Sequence, residues 1–324
     1  MKRIKLLVLR TMKALGLFAL ARHFTGGGVR ILCFHGIWLG REGYPGDAMF
    51  MNPRTFRDRI ALLRRLGYPV IPLDRAVAGL VDGDLPKGAV AITIDDGWFS
   101  TYSAMLPTLF EHGLPATLYV DSEHLQSRAP IPHMMARYLE MLATQDLASA
   151  TLRYGEETEA MPIDERLAAA RQAAAAKGLD VERYLADRVF DYMQPEQLAE
   201  AHAKGLDVQL HTHRHTLHDL SPAAIQSEIA DNRRALGQML GRDPASFRHF
   251  CYPSGRSSAA AGAALRDVQV ASSTTTVQGI ARRGMDLQYL PRIQDGEQVT
   301  DIEFEAELAG VMDLLRAGAR RVRG

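Results

Sequence analysis

Cysteine is almost missing from this chain. Cys33 and Cys251 are its only two in 324 residues, too few for a disulfide framework, and two small buried core residues are the expectation. There is no excess of either charge: 38 Lys and Arg balance 38 Asp and Glu. The field of the whole molecule therefore gives no reason to expect a nucleic-acid partner. Internal repeats and long low-complexity stretches are absent. Long apolar runs are absent as well. Near the start the longest uncharged run, Ala14 to Ala21, is far below the ~20 apolar residues that span a bilayer. It is also short for the core of a signal peptide.

The first 23 residues lack acid altogether. Lys2, Arg3, Lys5, Arg10, Lys13 and Arg22 alternate there with Ile4, Leu6, Leu7, Val8, Leu9, Leu15, Leu17, Phe18 and Leu20. This pattern predicts a basic amphipathic helix over residues 1–28, ended by Gly26, Gly27 and Gly28. Such a helix either lies in a membrane interface through residues 1–23 or packs on the domain with its cations solvated.

Overall composition, 47% hydrophobic and 23% charged, suits a soluble globular protein with a sizeable core. Apolar runs at Val29–Phe34, Val70–Pro72, Ala89–Ile94, Ala116–Val120, Asp207–Leu210 and Phe247–Tyr252 read as strands. Between them, helical spacing marks Asn52–Gly67, Tyr102–Glu111, Pro195–Lys204 and Pro222–Leu240, with a last helix over Ile302–Val322. Strands alternating with helices imply parallel βα units. Closure as a barrel then puts the chemistry at the C-terminal ends of the strands. From about 124 to 193 the pattern turns helical, at Met134–Leu147, Asp164–Lys177 and Asp180–Tyr192. We read this as an insertion over one rim of a catalytic domain spanning 29–324, serving as a lid or as scaffold.

Two clusters carry the chemistry. Thr93-Ile94-Asp95-Asp96-Gly97 ends an apolar strand in adjacent carboxylates. Paired acids at such a place need a cation or hydrogen-bond donors, although Asp-Asp-Gly is also a common turn. His211-Thr212-His213-Arg214-His215 follows a second apolar strand and holds three of the chain's 11 histidines. Imidazoles together with a carboxylate suit zinc and similar borderline metals. Side-chain alternation does not choose which pair of histidines converges. A third segment, Phe250-Cys251-Tyr252-Pro253-Ser254-Gly255, runs from a strand into a Pro/Gly turn that can aim a backbone N–H into a site.

In this order the three segments resemble the polysaccharide deacetylase family, also called the NodB-homology or carbohydrate esterase 4 group. Thr93–Gly97 matches its T-F-D-D-G motif with Ile94 in place of Phe, His211–His215 its H-[S/T]-x-x-H motif, and Phe250–Gly255 a variant of its third motif. The resemblance implies an α/β protein with a distorted (β/α) barrel and a divalent metal, commonly zinc. It assigns Asp96, His211 and His215 as metal ligands and Asp95 as general base. It places an oxyanion-binding N–H near Ser254. Trp98 and Tyr252 can stack on a sugar ring or pack in the core.

Two departures stand out. The family's usual Arg is replaced by Cys251, so the partner of the base must come from elsewhere, Arg292 or Arg248. No histidine follows His249, so the family's late general acid is absent. However, Cys33-Phe34-His35 is similar to the first-strand motif of the biofilm poly-N-acetylglucosamine deacetylases, which makes His35 the expected acid. His213, His218 and His249 are the alternatives. The implied function is removal of N-acetyl groups from amino sugars of a bacterial glycan or lipid-linked precursor. A deformylase, an O-deacetylase or a metal-retaining carbohydrate-binding pseudoenzyme would use the same site.

Overall fold

The computed structural model describes residues 2–41, 44, 49–130, 134–135, 162–176, 178–217 and 220–323. Two helices lead in, α1 (Lys2–Ala14) and α2 (Leu17–Thr25). The single helix expected over residues 1–28 is thus divided, because Gly16 takes a left-handed φ of 75°. Strand β1 (Arg30–Phe34) follows, then a short parallel pair, β2 (Gly36–Ile37) and β3 (Phe50–Met51). Next come α3 (Pro53–Arg65), α4 (Leu73–Asp82) and β4 (Val90–Ile94). The strand expected at Val70–Pro72 is reduced to one bridge, Val70 to Val90. Pro69 and Pro72 on either side can donate no ladder hydrogen bond.

A π-helical turn, Thr101–Met105, opens onto α5 (Leu106–Glu111), and β5 (Ala116–Val120) leads to α6 (Ser122–Ser127). Within the helical insertion, α7 (Ile163–Ala176) and α8 (Val181–Ala186) lie among the described residues. Most of the helix expected at 134–147 falls outside them. The chain continues through α9 (Pro195–Ala203), β6 (Asp207–Leu210), α10 (Pro222–Leu240), β7 (His249–Cys251), α11 (Ala259–Asp267), β8 (Ser272–Gln278) and β9 (Leu290–Gln294). It ends in α12 (Asp301–Ala309) and α13 (Val311–Arg323). These last two replace the single expected helix, because Gly310 turns left-handed at φ 83° against Thr25.

Strands β1, β4, β5, β6, β7, β8 and β9 close into a barrel in that order, every pairing parallel, with β9 returning to β1. Side-chain alternation along each strand divides the core in two. Leu32, Phe34, Ile92, Ile94, Leu118, Val120, Val208, Leu210 and Phe250 join the layer under the helices. Ile31, Ala91, Tyr119, Cys251 and Leu290 form a second, smaller cluster. Cys33, Thr93 and Arg292 continue that second series by the same period of two. The barrel is fixed at its margins by ordinary local chemistry. Helix α10, for example, has Ser221 accepting from the Ala224 N–H, Pro222 in the first turn and left-handed Gly241 at its end.

Candidate active site and metal centre

The C-terminal ends of β1, β4, β6 and β7 deliver His35, Asp95 and Asp96, His211, and Tyr252 to one rim. The loops holding these residues are strained in a common way. Asp96, Thr212, His215 and Ser254 all have positive φ, at 74°, 67°, 56° and 53°. Non-glycine residues seldom adopt such values, and when they do they cluster where geometry is imposed for function. Gly97 and Gly255, also left-handed at 105° and 68°, complete the turns after the first and third segments.

Asp96 and two imidazoles form a donor triangle. Its Oδ1 lies 3.3 Å from His211 Nε2 and 3.5 Å from His215 Nε2. Two donors bound at roughly 2.0–2.1 Å to a tetrahedral ion sit about 3.3 Å apart, so the triangle has the dimensions of such a site. Each donor is oriented from behind. His211 Nδ1 donates to the Cys251 carbonyl at 2.8 Å, which turns Nε2 toward the triangle. The indole N–H of Trp98 donates to Asp96 Oδ2 at 2.9 Å, leaving Oδ1 free. Burial opposes the charge on Asp96, but His211 and His215 override it and hold the carboxyl well below its usual range.

Asp95 has a different partner. Arg292, reaching through the barrel interior from β9, donates Nη1 to Oδ1 and Nη2 to Oδ2, both at 2.7 Å. The guanidinium is itself held by the Thr275 carbonyl and the Thr93 hydroxyl. Burial pushes the Asp95 carboxyl up, Arg292 pulls it down, and the balance is a value of about 2. The thiols of Cys33 and Cys251 also point at Oδ2, at 3.6 and 3.4 Å, and His35 Nε2 lies 3.7 Å from it.

Cys33, His35 and Asp95 thus make a second group with metal-ligand spacing. Two facts argue against it as the ion site. A buried guanidinium already neutralises Asp95, and burial pushes the Cys33 thiol well above its ordinary value, away from the thiolate a metal requires.

Other expected residues are placed as follows. His213 Nδ1 pairs with the Ser122 hydroxyl at 2.8 Å. His249 is turned to Ser272 and Asp74, and His218 lies outside the described residues. Arg248 is exposed, so Arg292 alone partners the base. Trp98 and Tyr252 require correction. Both are buried, at 1% exposure, so neither presents a ring face to a sugar. Trp98 packs between Phe50 and Tyr192, and Tyr252 stacks on Tyr289.

Several supporting residues gave no motif in the sequence. Asn232 accepts from the His211 N–H and donates to the Val120 carbonyl and Ser122 hydroxyl. Glu228 accepts from the N–H groups of His213 and Arg214 and pairs with the Arg214 guanidinium. Both sit on the buried face of α10 beside Ile225, Ile229 and Leu236. Two polar residues four apart in an apolar stripe were the available signal. Tyr192 donates to Asp121 Oδ2 at 2.7 Å, and Asp121 Oδ1 pairs with His124 Nδ1 at 2.6 Å. The end of the insertion is thereby tied to the loop after β5, beside the Asp96–His211–His215 triangle. The backbone does the same, Phe99 N–H donating to Asp191 and Met193 N–H to Gly97.

A parallel barrel with a carboxylate–imidazole triangle and a clamped second carboxylate on its C-terminal rim has the form of a hydrolase of the polysaccharide deacetylase class. Comparison with known families agrees. The polysaccharide deacetylase model matches residues 82–272, more than half the chain, and the chain belongs to that family, whose members deacetylate polysaccharides. Among solved structures, the Streptococcus pyogenes deacetylase PplD matches with TM-score 0.61 and 18% identity over 87% of this chain and 98% of that one. IcaB from Ammonifex degensii matches at TM-score 0.57 and 20% identity, over 87% and 96%. A de-N-acetylase from Aggregatibacter actinomycetemcomitans matches at 0.60 and 14%, over 86% and 99%. At these identities they establish the fold, a NodB-type (β/α) barrel. Comparison with curated protein sequences returns no match.

Proposed function

We propose that this protein is a metal-dependent hydrolase that removes N-acetyl groups from amino sugars of a bacterial glycan or lipid-linked precursor. Asp96, His211 and His215 would hold a divalent ion, zinc being the ion their donor set suits best. When bound, such an ion polarises the amide carbonyl and acidifies the attacking water. The observation that carries this reading is the contrast between two adjacent carboxylates. Asp96 is open to two imidazoles on a tetrahedral edge, whereas Asp95 is clamped by Arg292.

The protein's own groups then divide the work. Asp95 stays ionised at neutral pH because Arg292 outweighs its burial, and it takes the proton of the attacking water. Ser254, forced into a left-handed turn, offers its N–H to the developing oxyanion. The neighbouring N–H groups of Tyr252 and Gly255 are spent on the carbonyls of Thr274 and Tyr252. His35 stands 3.7 Å from Asp95, on the rim. It donates the proton that lets the sugar amine leave.

The test is release of free amine from N-acetylglucosamine oligomers by zinc-loaded protein, before and after chelation. Turnover that stops with the chelator and returns with zinc is expected. Chelator-indifferent turnover would remove the metal from the reading. Metal binding without release from any N-acetylated glycan would make the protein a binding module. Parallel N-formyl and O-acetyl substrates identify the acyl group.

A further inference from the structure

Most of the exposed large apolar side chains crowd onto one small part of the molecule. Twelve are exposed among the described residues, and nine of these lie in residues 4–24 and 314–315. On α1, Ile4, Leu7 and Val8 are 69%, 65% and 50% exposed, and Leu15 just beyond is 70% exposed. At 100° per residue they share an arc of about 100°. On α2, Leu17, Leu20 and Phe24 share an arc of about 60°, Phe24 being 71% exposed. Leu314 and Leu315 of α13 are the remaining two, and α2 packs against both α1 and α13.

The cations of α1 are arranged the opposite way from those of an ordinary surface helix. Lys5 and Lys13 pair with Glu303 and Glu305 of α12 while staying half-exposed, Lys2 donates to the Gln298 carbonyl, and Leu9 between them is buried. The docked face is therefore the one with lysines, and the outward face is apolar. Arg3 and Arg10 flank that outward face, both exposed, and neither forms an ion pair among the described residues. Arg10 also borders a groove of about 740 Å³ whose other walls include Arg65, Leu62 and Ile302 together with Asp301 and Glu305.

We infer that the outer face of α1 and α2, with Leu314 and Leu315 of α13, docks on an anionic lipid surface. Apolar residues enter the acyl boundary there, while Arg3 and Arg10 meet headgroup phosphates. Two features select lipid over a second copy of this chain. A self-complementary pairing of α1 and α2 would bring the same arginines together, and these two helices carry no Asp or Glu of their own. Apolar helices flanked by unpaired cations match the composition of an interfacial anchor. No helix among the described residues is long and apolar enough to cross a membrane. This contact lies on the surface and is independent of how the metal site is read.

The test is co-sedimentation of the full chain with vesicles of mixed phosphatidylglycerol and phosphatidylcholine, compared with pure phosphatidylcholine. Binding to the anionic vesicles that weakens as salt rises is expected. It should fall at least tenfold in Leu7→Glu/Phe24→Glu and stay unchanged in Val81→Glu, an exposed apolar residue elsewhere. Amine release from a soluble oligomer should be the same in all three, so loss of docking is separable from loss of catalysis. A second variant guards against misfolding. Trp38 and Trp98 are both buried, so the fluorescence response of Leu7→Trp to vesicles reports on its own position, and a blue shift is expected. Equal sedimentation of wild type and Leu7→Glu/Phe24→Glu, or no blue shift, overturns the proposal. So does a dimer in sedimentation equilibrium that Leu7→Glu/Phe24→Glu dissolves.

Discussion

Arg292 grips Asp95 through two 2.7 Å hydrogen bonds across the inside of the barrel, from a strand 197 residues further along the chain. In the family pattern this arginine stands in the third motif, where this chain has Cys251. Here the cation comes from β9 instead, and the Cys251 thiol touches both partners.

Arg292→Met should lower kcat/KM at least tenfold and move the acid limb of its pH profile upward. Burial raises the Asp95 carboxyl, and the guanidinium, helped by His35 and His211, brings it down to about 2. Because the folded value lies below the unfolded one, the pair stabilises the protein above about pH 4, and this is lost as pH falls through about 2. The variant leaves the buried Asp95 without its partner and should be less stable in denaturant titrations at neutral pH. Arg292→Lys keeps the charge without the two-pronged geometry and should fall between. An unshifted acid limb in Arg292→Met would detach Asp95 from the role of base.

Asp95→Asn should abolish amine release while metal content, read by elemental analysis, stays near one per chain. Asp96→Ala and His211→Ala should lose the metal itself. Stoichiometric metal in either would move the ion to the group of Cys33, His35 and Asp95.

Trp98→Phe tests the wall behind the ligand. It keeps most of the buried ring volume but removes the N–H that fixes Asp96 Oδ2. Metal affinity should drop roughly 10- to 100-fold, as is typical when an outer hydrogen bond to a ligand is deleted. Competition with a chromophoric chelator measures it, and unchanged affinity would reduce Trp98 to packing.

His35→Gln should depress kcat with little change in metal content and should erase the basic limb of the pH profile, since a neutral amide cannot deliver a proton to the leaving amine. A basic limb retained in the variant would pass the acid's role to another group.

Much of this molecule was legible from residue order alone. Strands β1, β4, β5 and β6 and helices α3, α9 and α10 fall within a few residues of where apolar spacing, prolines and glycines put them. Local chemistry sets these elements. The Asp-Asp and His-x-x-x-His segments were legible because a buried strand that ends in ionisable groups is costly and therefore informative. Strands β8 and β9 were missed. Ser272–Gln278 is a run of Ser and Thr, and Leu290–Gln294 carries Pro291 and a buried arginine. Their burial comes from closing the barrel, which no local period reveals. For Trp98 and Tyr252 the sequence left sugar stacking and core packing open, and the structure packs both inside, against Phe50, Tyr192 and Tyr289.

Residue order by itself determined the βα alternation, the Asp-Asp and histidine segments and a basic, apolar start, because each is written in neighbours a few positions apart. Which cation faces Asp95, which nitrogen of His211 is free, and which face of α1 meets solvent were decided only in three dimensions. Each depends on groups that lie tens to hundreds of residues apart in the chain and become neighbours when seven parallel strands close on themselves.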